Sequence, residues 1–151
     1  MSAKILIVIF FFGLSSLGFS QKVNTTKKQS QLLIKNNLKK HSYISLRDSI
    51  KNNYVISFND SSMTIFNHKG ISDYTVIKMT DIDSISIEEK DHSVCLRVIL
   101  DKGKKEVTFV DSRPVNNTQG SYEFSLNKSF LNEGLPERIG EAFRKLLGFY
   151  D

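Results

Sequence analysis

The stretch 82-IDSISIEEKDHSVCLRVIL-100 decides the fold class. Ile85 and Ile87 alternate with Ser84 and Ser86, so a strand here has one apolar and one polar face. Glu89 to His92 turns the chain. Beyond the turn, Val94, Leu96, Val98 and Leu100 share one face, while Cys95, Arg97 and Ile99 share the other. Two such runs around a short polar turn predict an antiparallel hairpin that buries one side. Cys95 is the chain's single cysteine, so no intrachain disulfide can form and stability rests on a packed core. Its apolar neighbours make it a small buried hydrophobe rather than a reactive thiol.

The same alternation extends outward in both directions. Towards the N-terminus, YVISF (54–58) sets Tyr54, Ile56 and Phe58 against Val55 and Ser57, and Asn59-Asp60-Ser61 supplies a turn. SMTIF (62–66) places Met63 and Ile65 on one face. After a turn at Asn67-His68-Lys69-Gly70, DYTVIKM (73–79) sets Tyr74 and Val76 opposite Ile77 and Met79. Towards the C-terminus, Asp101-Lys102-Gly103-Lys104 is a hairpin signal. EVTFV (106–110) then returns with Val107 and Phe109 expected inward. A loop of about ten residues containing Pro114, Asn116-Asn117 and Gly120 leads to YEFSL (122–126), with Tyr122, Phe124 and Leu126 aligned.

LPERIGEAFRKLLGFYD (135–151) breaks the pattern. Ile139, Ala142, Phe143, Leu146, Leu147 and Tyr150 form one stripe at helical spacing. Pro136 suits the first helical position. Glu137 and Glu141 lie early, Arg144 and Lys145 late, in keeping with the helix dipole. Burying the five larger side chains of the stripe is worth a gross ~8–15 kcal/mol, so the helix reads as a lid on the core. Its polar face carries both signs, unlike the lysine-rich face of a helix lying on a membrane. Strands in series followed by one helix predict a mainly β (α+β) fold. Its elements are about seven antiparallel strands in a barrel or bent sheet, capped by a C-terminal amphipathic helix.

The first twenty residues read differently. Lys4, the apolar run Ile5–Phe12, and Gly18 and Ser20 before Gln21 follow the pattern of a cleaved signal peptide. The apolar run is too short for a comfortable span of ~20 residues. Phe19-Ser20-Gln21-Lys22 resembles the signal ends of exported Bacteroidetes proteins. The expected organisation is therefore a signal at 1–20, a flexible leader at 21–52 with a short helix over about 30–40, and one domain at 53–151. Ser30 is the expected cap of that helix, with Leu32, Leu33, Ile34 and Leu38 as its apolar contacts. The expected location is extracytoplasmic, periplasmic or secreted, with no stable membrane span once the signal is cut.

The order of elements from Tyr54 to Tyr150 resembles the pleckstrin-homology-like (PH-like) superfold, in which a C-terminal helix plugs one end of a strongly bent barrel. Lipid-binding members of that family hold phosphoinositide phosphates with basic residues around the first hairpin loop. Here that loop, Asn59-Asp60-Ser61-Ser62, has an acid and no lysine or arginine. The resemblance thus implies a scaffold for binding without naming a ligand.

Charge excludes little. Without Lys4 the chain keeps 20 basic against 16 acidic residues, a mild excess that serves solubility. Lys27, Lys28, Lys35, Lys39 and Lys40 form one basic group, and Lys102, Lys104 and Lys105 another. Both suit a solvated face or an anionic partner. His41, His68 and His92 have no metal-ligand spacing, and Asp81 and Asp83 lack the further oxygen ligands of a calcium loop. Asp81 and Asp83 are expected on one face of a strand. Asp111-Ser112-Arg113-Pro114 offers nothing that activates the serine, and no nucleophile elbow or phosphate loop occurs after residue 20. Asn24, Asn59, Asn116 and Asn127 head Asn-x-Ser/Thr sequences, and Asp48-Ser49-Ile50 and Asp83-Ser84-Ile85 resemble an O-glycosylation pattern of exported proteins.

No catalytic, cofactor-binding or metal-binding residue is therefore assigned, and the leading expectation is an exported, non-enzymatic binding module. Its contact surface is expected at a sheet edge or on the loops away from the helix, with an envelope protein or an anionic surface polymer as partner rather than nucleic acid. The alternative is a small-molecule carrier, or a hydrolase, with a barrel cavity lined by Tyr54, Phe58, Tyr74, Phe109 and Phe124.

Overall fold

A computed structural model describes residues 6–10, 27–43, 54–66, 73–110, 113–115 and 120–148, the first of these as backbone only. The fold is mainly β, with two antiparallel sheets and a C-terminal helix. In chain order the elements are β1 (Leu6–Phe10), α1 (Lys27–Lys40), β2 (Val55–Phe58), β3 (Ser62–Phe66), β4 (Tyr74–Lys78) and β5 (Ile82–Glu89). They continue with β6 (Val94–Leu100), β7 (Val107–Val110), β8 (Arg113–Val115), β9 (Ser121–Leu126), α2 (Ser129–Asn132) and α3 (Leu135–Leu147). One sheet runs β1-β5-β6-β9 and the other β2-β3-β4-β7-β8.

The expected hairpin over residues 82–100 is β5–β6, with Glu89 opposite Val94. It continues past its open end into the second sheet. A 3₁₀ turn at Met79–Asp81 joins β4 to β5, and a turn centred on Gly103 (φ 85°) joins β6 to β7. Asp101 donates its N–H to the Asp81 carbonyl (2.9 Å), tying the two corners together. Val76 lies opposite Val107 before the corner and Ser84 opposite Ile99 after it, so the pairing offset is the same on both sides. The two sheets are the arms of one hairpin bent sharply at a shared corner. They do not close into a barrel among the described residues.

That continuity corrects two expectations. Asp101–Lys104 forms a turn, with Lys104 donating to the Asp101 carbonyl (2.9 Å). It is not a hairpin, because β6 pairs with β5 and β9 whereas β7 pairs with β4 and β8. Val107 and Phe109 face outward, not inward. The even-numbered residues of β6 point to the core, and the conserved offset carries that parity into Glu106 and Thr108. Thr108 pairs with the buried Thr75, their hydroxyls 3.0 Å apart, while Val107 is 42% exposed.

The expected loop at 111–120 also contains a strand. Arg113–Val115 pairs with β7 as β8, where Pro114 is tolerated at the sheet's edge. Leu6–Phe10, read as the heart of a signal peptide, lies in the full chain as β1, antiparallel to β5.

The core lies between the bent sheets and the helices. Ile56, Met63, Ile65, Ile77, Ile85, Leu96, Val98, Phe124 and Leu126 are fully buried from the sheets. Ile139, Phe143 and Leu146 of α3 are fully buried as well, and Ala142 nearly so, as the stripe requires. Leu147 packs at the margin, and Tyr150 lies outside the described residues. Helix α3 begins one residue earlier than expected, after Gly134 at φ 63°, so Pro136 is its second residue. Lys145 bonds Glu141 at 2.8 Å, the expected pair one turn apart. Helix α1, within the segment expected as leader, packs against α3 and β2 and places Ile34 and Leu38 in the core. It starts at Lys27 rather than at a Ser30 cap, and Ser30 is buried inside it while Leu32 points to solvent.

Candidate functional site

Sheet register builds the most distinctive surface. Across the five-stranded sheet, Val55 pairs with Phe66, Phe66 with Tyr74, Tyr74 with Phe109 and Phe109 with Pro114. Directly paired residues share a face. Met63, Ile65, Ile77 and Met79 occupy the buried face, so this row lies on the opposite one, away from the core. Four strand spacings of ~4.8 Å make it roughly 19 Å wide. The Phe66 and Tyr74 rings are 5.9 Å apart and tilted by 45°; those of Tyr74 and Phe109 are stacked at 4.6 Å. A second row, Ser57–Thr64–Val76–Val107, runs beside it. Strand alternation adds the exposed Lys78 to this face, and none of these row residues is acidic.

The exposed Val55 (45%) and Val107 lie in these rows. A soluble chain rarely leaves such apolar surface contiguous without use. Tyr74 and Phe109 stack on one another, which occupies one face of each ring. Of the residues in these rows, the sequence pattern assigned Val107 and Phe109 to the inward side and Pro114 to a loop.

A second cluster forms where α1, β9 and α2 meet. His41 is buried, with Nδ1 2.8 Å from Ser129 Oγ and Nε2 3.4 Å from Glu133 Oε2. Its ring meets Phe130 edge-on at 6.0 Å. Ser129 Oγ also bonds Asn127 Oδ1, and Lys40 Nζ holds Glu133 at 2.8 Å. Hydrogen bonds from Lys40, with the nearby His41 adding to them, hold the Glu133 carboxyl below its usual range. Serine, histidine and glutamate follow one another as in a nucleophile relay. The Phe130 N–H, adjacent to Ser129, is however committed to the Asn127 carbonyl (3.1 Å). It is not available to receive an oxyanion. The main-chain bonds around the cluster, Asn127 to His41 and Tyr43 to Ser125, make it a clamp that ties α1 to the end of β9.

The five aromatic residues assigned to a common cavity are not brought together. Tyr54 and Phe124 meet edge-on at 4.9 Å, joined by Tyr122, and Phe58 packs at the core margin. Tyr74 and Phe109 lie on the outer face. Tyr54 accepts the Ser125 N–H at its hydroxyl (2.8 Å), and burial pushes its phenol and that of Tyr122 up.

Other candidates resolve singly. His92 is exposed in a turn, and His68 lies outside the described residues. Asp81 sits in the 3₁₀ turn, 3.6 Å from Lys104, rather than on a strand face beside Asp83. No group of three or more potential metal ligands occurs among the described residues. Cys95 is buried, and desolvation followed by the Glu123 carboxylate raises its thiol. Asn59 Oδ1 accepts from the Ser61 and Ser62 amides at 2.9 and 2.7 Å, which fixes the first hairpin loop. Ser84 is buried and bonds Asp83 (2.9 Å). Arg113 and Pro114 belong to β8, whereas Asp111, Ser112, Asp48 and Ser49 lie outside the described residues. Comparison with protein-family models, curated proteins and solved structures returned no match.

Proposed function

We propose that this chain is an exported, non-enzymatic binding module on a PH-like scaffold, and that the outer face of its five-stranded sheet is the contact surface. One observation carries the reading: the row Val55–Phe66–Tyr74–Phe109–Pro114 spans every strand of that sheet on the side turned from the core. A row left outside the core is not needed to hold it together, and core-scale apolar contacts await a partner there. The bent antiparallel sheets with a C-terminal helix support the PH-like assignment, and the N-terminal pattern of Lys4, Ile5–Phe12 and Ser20 supports export. The partner that fits is an envelope protein with an apolar patch, since Lys78 borders a face without acids.

The test is a double variant, Tyr74→Ser with Phe109→Ser, compared with the natural chain for capture of envelope components. The expected result is selective loss of a component retained by the natural chain, with cooperative unfolding preserved. Equal retention by the folded variant overturns the proposal.

A further inference from the structure

The bent hairpin leaves its two arms unequally covered. On the outer side of β4, β3 pairs from Ser62–Lys78 to Phe66–Tyr74 and stops. Past the corner, β5 has β6 on one side and, among the described residues, only β1 on the other. Leu6–Phe10 pairs there in unbroken register, from Leu6 opposite Glu88 to Phe10 opposite Ser84. If residues 1–20 are removed, as the export reading holds, that edge loses its neighbour and its outward N–H and C=O groups lose their partners.

Natural sheet edges are defended by lysine, proline, bulges or brevity. Ile82–Glu89 has eight residues and no lysine, arginine or proline. Its one register shift, between Ile82 and Ser84, lies at the corner and leaves the rest regular. What the edge carries is acid: Asp83, Glu88 and Glu89, the last held by Lys128 at 3.1 Å. Two copies paired antiparallel through this edge over all eight residues would set Asp83 of one against Glu88 of the other. Like charges directly opposite are unfavourable. The edge discourages its own copy and admits a neutral or basic strand.

We propose that the free edge of β5 is a strand-acceptor site, opened by loss of the N-terminal segment. Its occupant in the processed chain is an extended, apolar, acid-free segment of a partner protein. LIVIF at 6–10 is the pattern for that occupant, since it already pairs with the edge over five residues. Backbone hydrogen bonds supply the binding, and apolar side chains on the incoming strand supply the preference. The inference rests on the export reading for removal of residues 1–20, and it is independent of the outer aromatic face.

The experiment uses the full chain with a protease site introduced between Ser20 and Lys27, folded and then cut. Hydrogen exchange is followed at β5 and β6 before cutting, after cutting and dilution to about 1 µM, and after adding a peptide of residues 4–10 at about 0.1 mM. Tethering holds β1 at an effective concentration in the millimolar range, so dilution after the cut empties the edge. Outward amides of Ser84–Glu89 are expected to exchange at least about tenfold faster after the cut, to slow again with peptide, and to ignore a Val8→Pro peptide. Amides of Leu96 and Val98 stay protected throughout. Unchanged β5 exchange after the cut, equal protection by the proline peptide, loss of β6 protection, or a cut chain that dimerises through β5 overturns the proposal. N-terminal sequencing of the naturally exported protein separates the two readings. A chain that retains residues 1–20 overturns the export reading, while the exchange data alone decide the chemistry of the edge.

Discussion

The two arms of the bent hairpin obey one register and do opposite things with it. In the β5–β6 arm the inward residues Ile85, Ile87, Val94, Leu96 and Val98 are apolar and buried, and the outward side carries serines and the Arg97–Glu123 pair. In the β4–β7 arm the β7 pattern is inverted. Glu106 and Thr108 point inward, and Val107 and Phe109 join Tyr74 and Val76 outside. Hydrophobicity marks the core on the first arm, whereas on the second it marks both the core, through Ile77, and the outer surface. Phenylalanine on the outer side of the five-stranded sheet adds little to folding beyond its stacking on Tyr74, and this inversion is what motivates the proposal of the second arm as a contact surface.

The largest effect that tests this contrast belongs to the core. Phe143→Ala on α3 should cost about 3–5 kcal/mol in urea unfolding, since a fully buried ring leaves a cavity. Phe109→Ser should cost no more than roughly 1–1.5 kcal/mol, the scale of one stacked ring pair, while abolishing partner capture. Comparable losses from the two variants would make the outer row part of the scaffold and break the comparison.

The inverted arm also predicts a pH dependence. Desolvation raises the Glu106 carboxyl above its ordinary value in the folded chain. Its contribution is therefore fully present below the unfolded carboxylate pKa and is lost as pH rises through the folded one. Glu106→Gln should raise the melting temperature at pH 7 and give no gain near pH 3. A gain of the same size at both values would rule out ionisation as its cause. The clamp at His41 has the opposite sign. Glu133 is held low by Lys40, so its contribution is present above the unfolded pKa and is lost as pH falls through the folded one. Glu133→Gln should lower the melting temperature at pH 7 and change nothing at pH 2.5. The smallest effect is expected at Arg97→Met, an exposed ion pair worth about 0–1 kcal/mol and sensitive to salt.

Much of this was legible in the sequence because strand and helix periods are local. Alternation picked out β2 to β7 and β9, though with the faces of β7 reversed, and the stripe Ile139–Ala142–Phe143–Leu146 found the helix and its buried face. Strand β8 escaped because three residues containing a proline carry too little pattern. Helix α2 escaped because four residues are too short for a period, although Phe130 is a core residue. The paired row Phe66–Tyr74–Phe109 could be found only through register, since its members come from three strands separated by turns.

The sequence by itself determined that this chain makes antiparallel strands, a closing helix and a core without disulfides, because backbone geometry ties those outcomes to the spacing of apolar residues. Only the tertiary structure decided which side of β7 faces the core, because parity there is inherited from β6 through a corner of matched length. The same corner made the partners of Gly103's turn strands of two sheets, and left β5 with an edge that β3 does not reach.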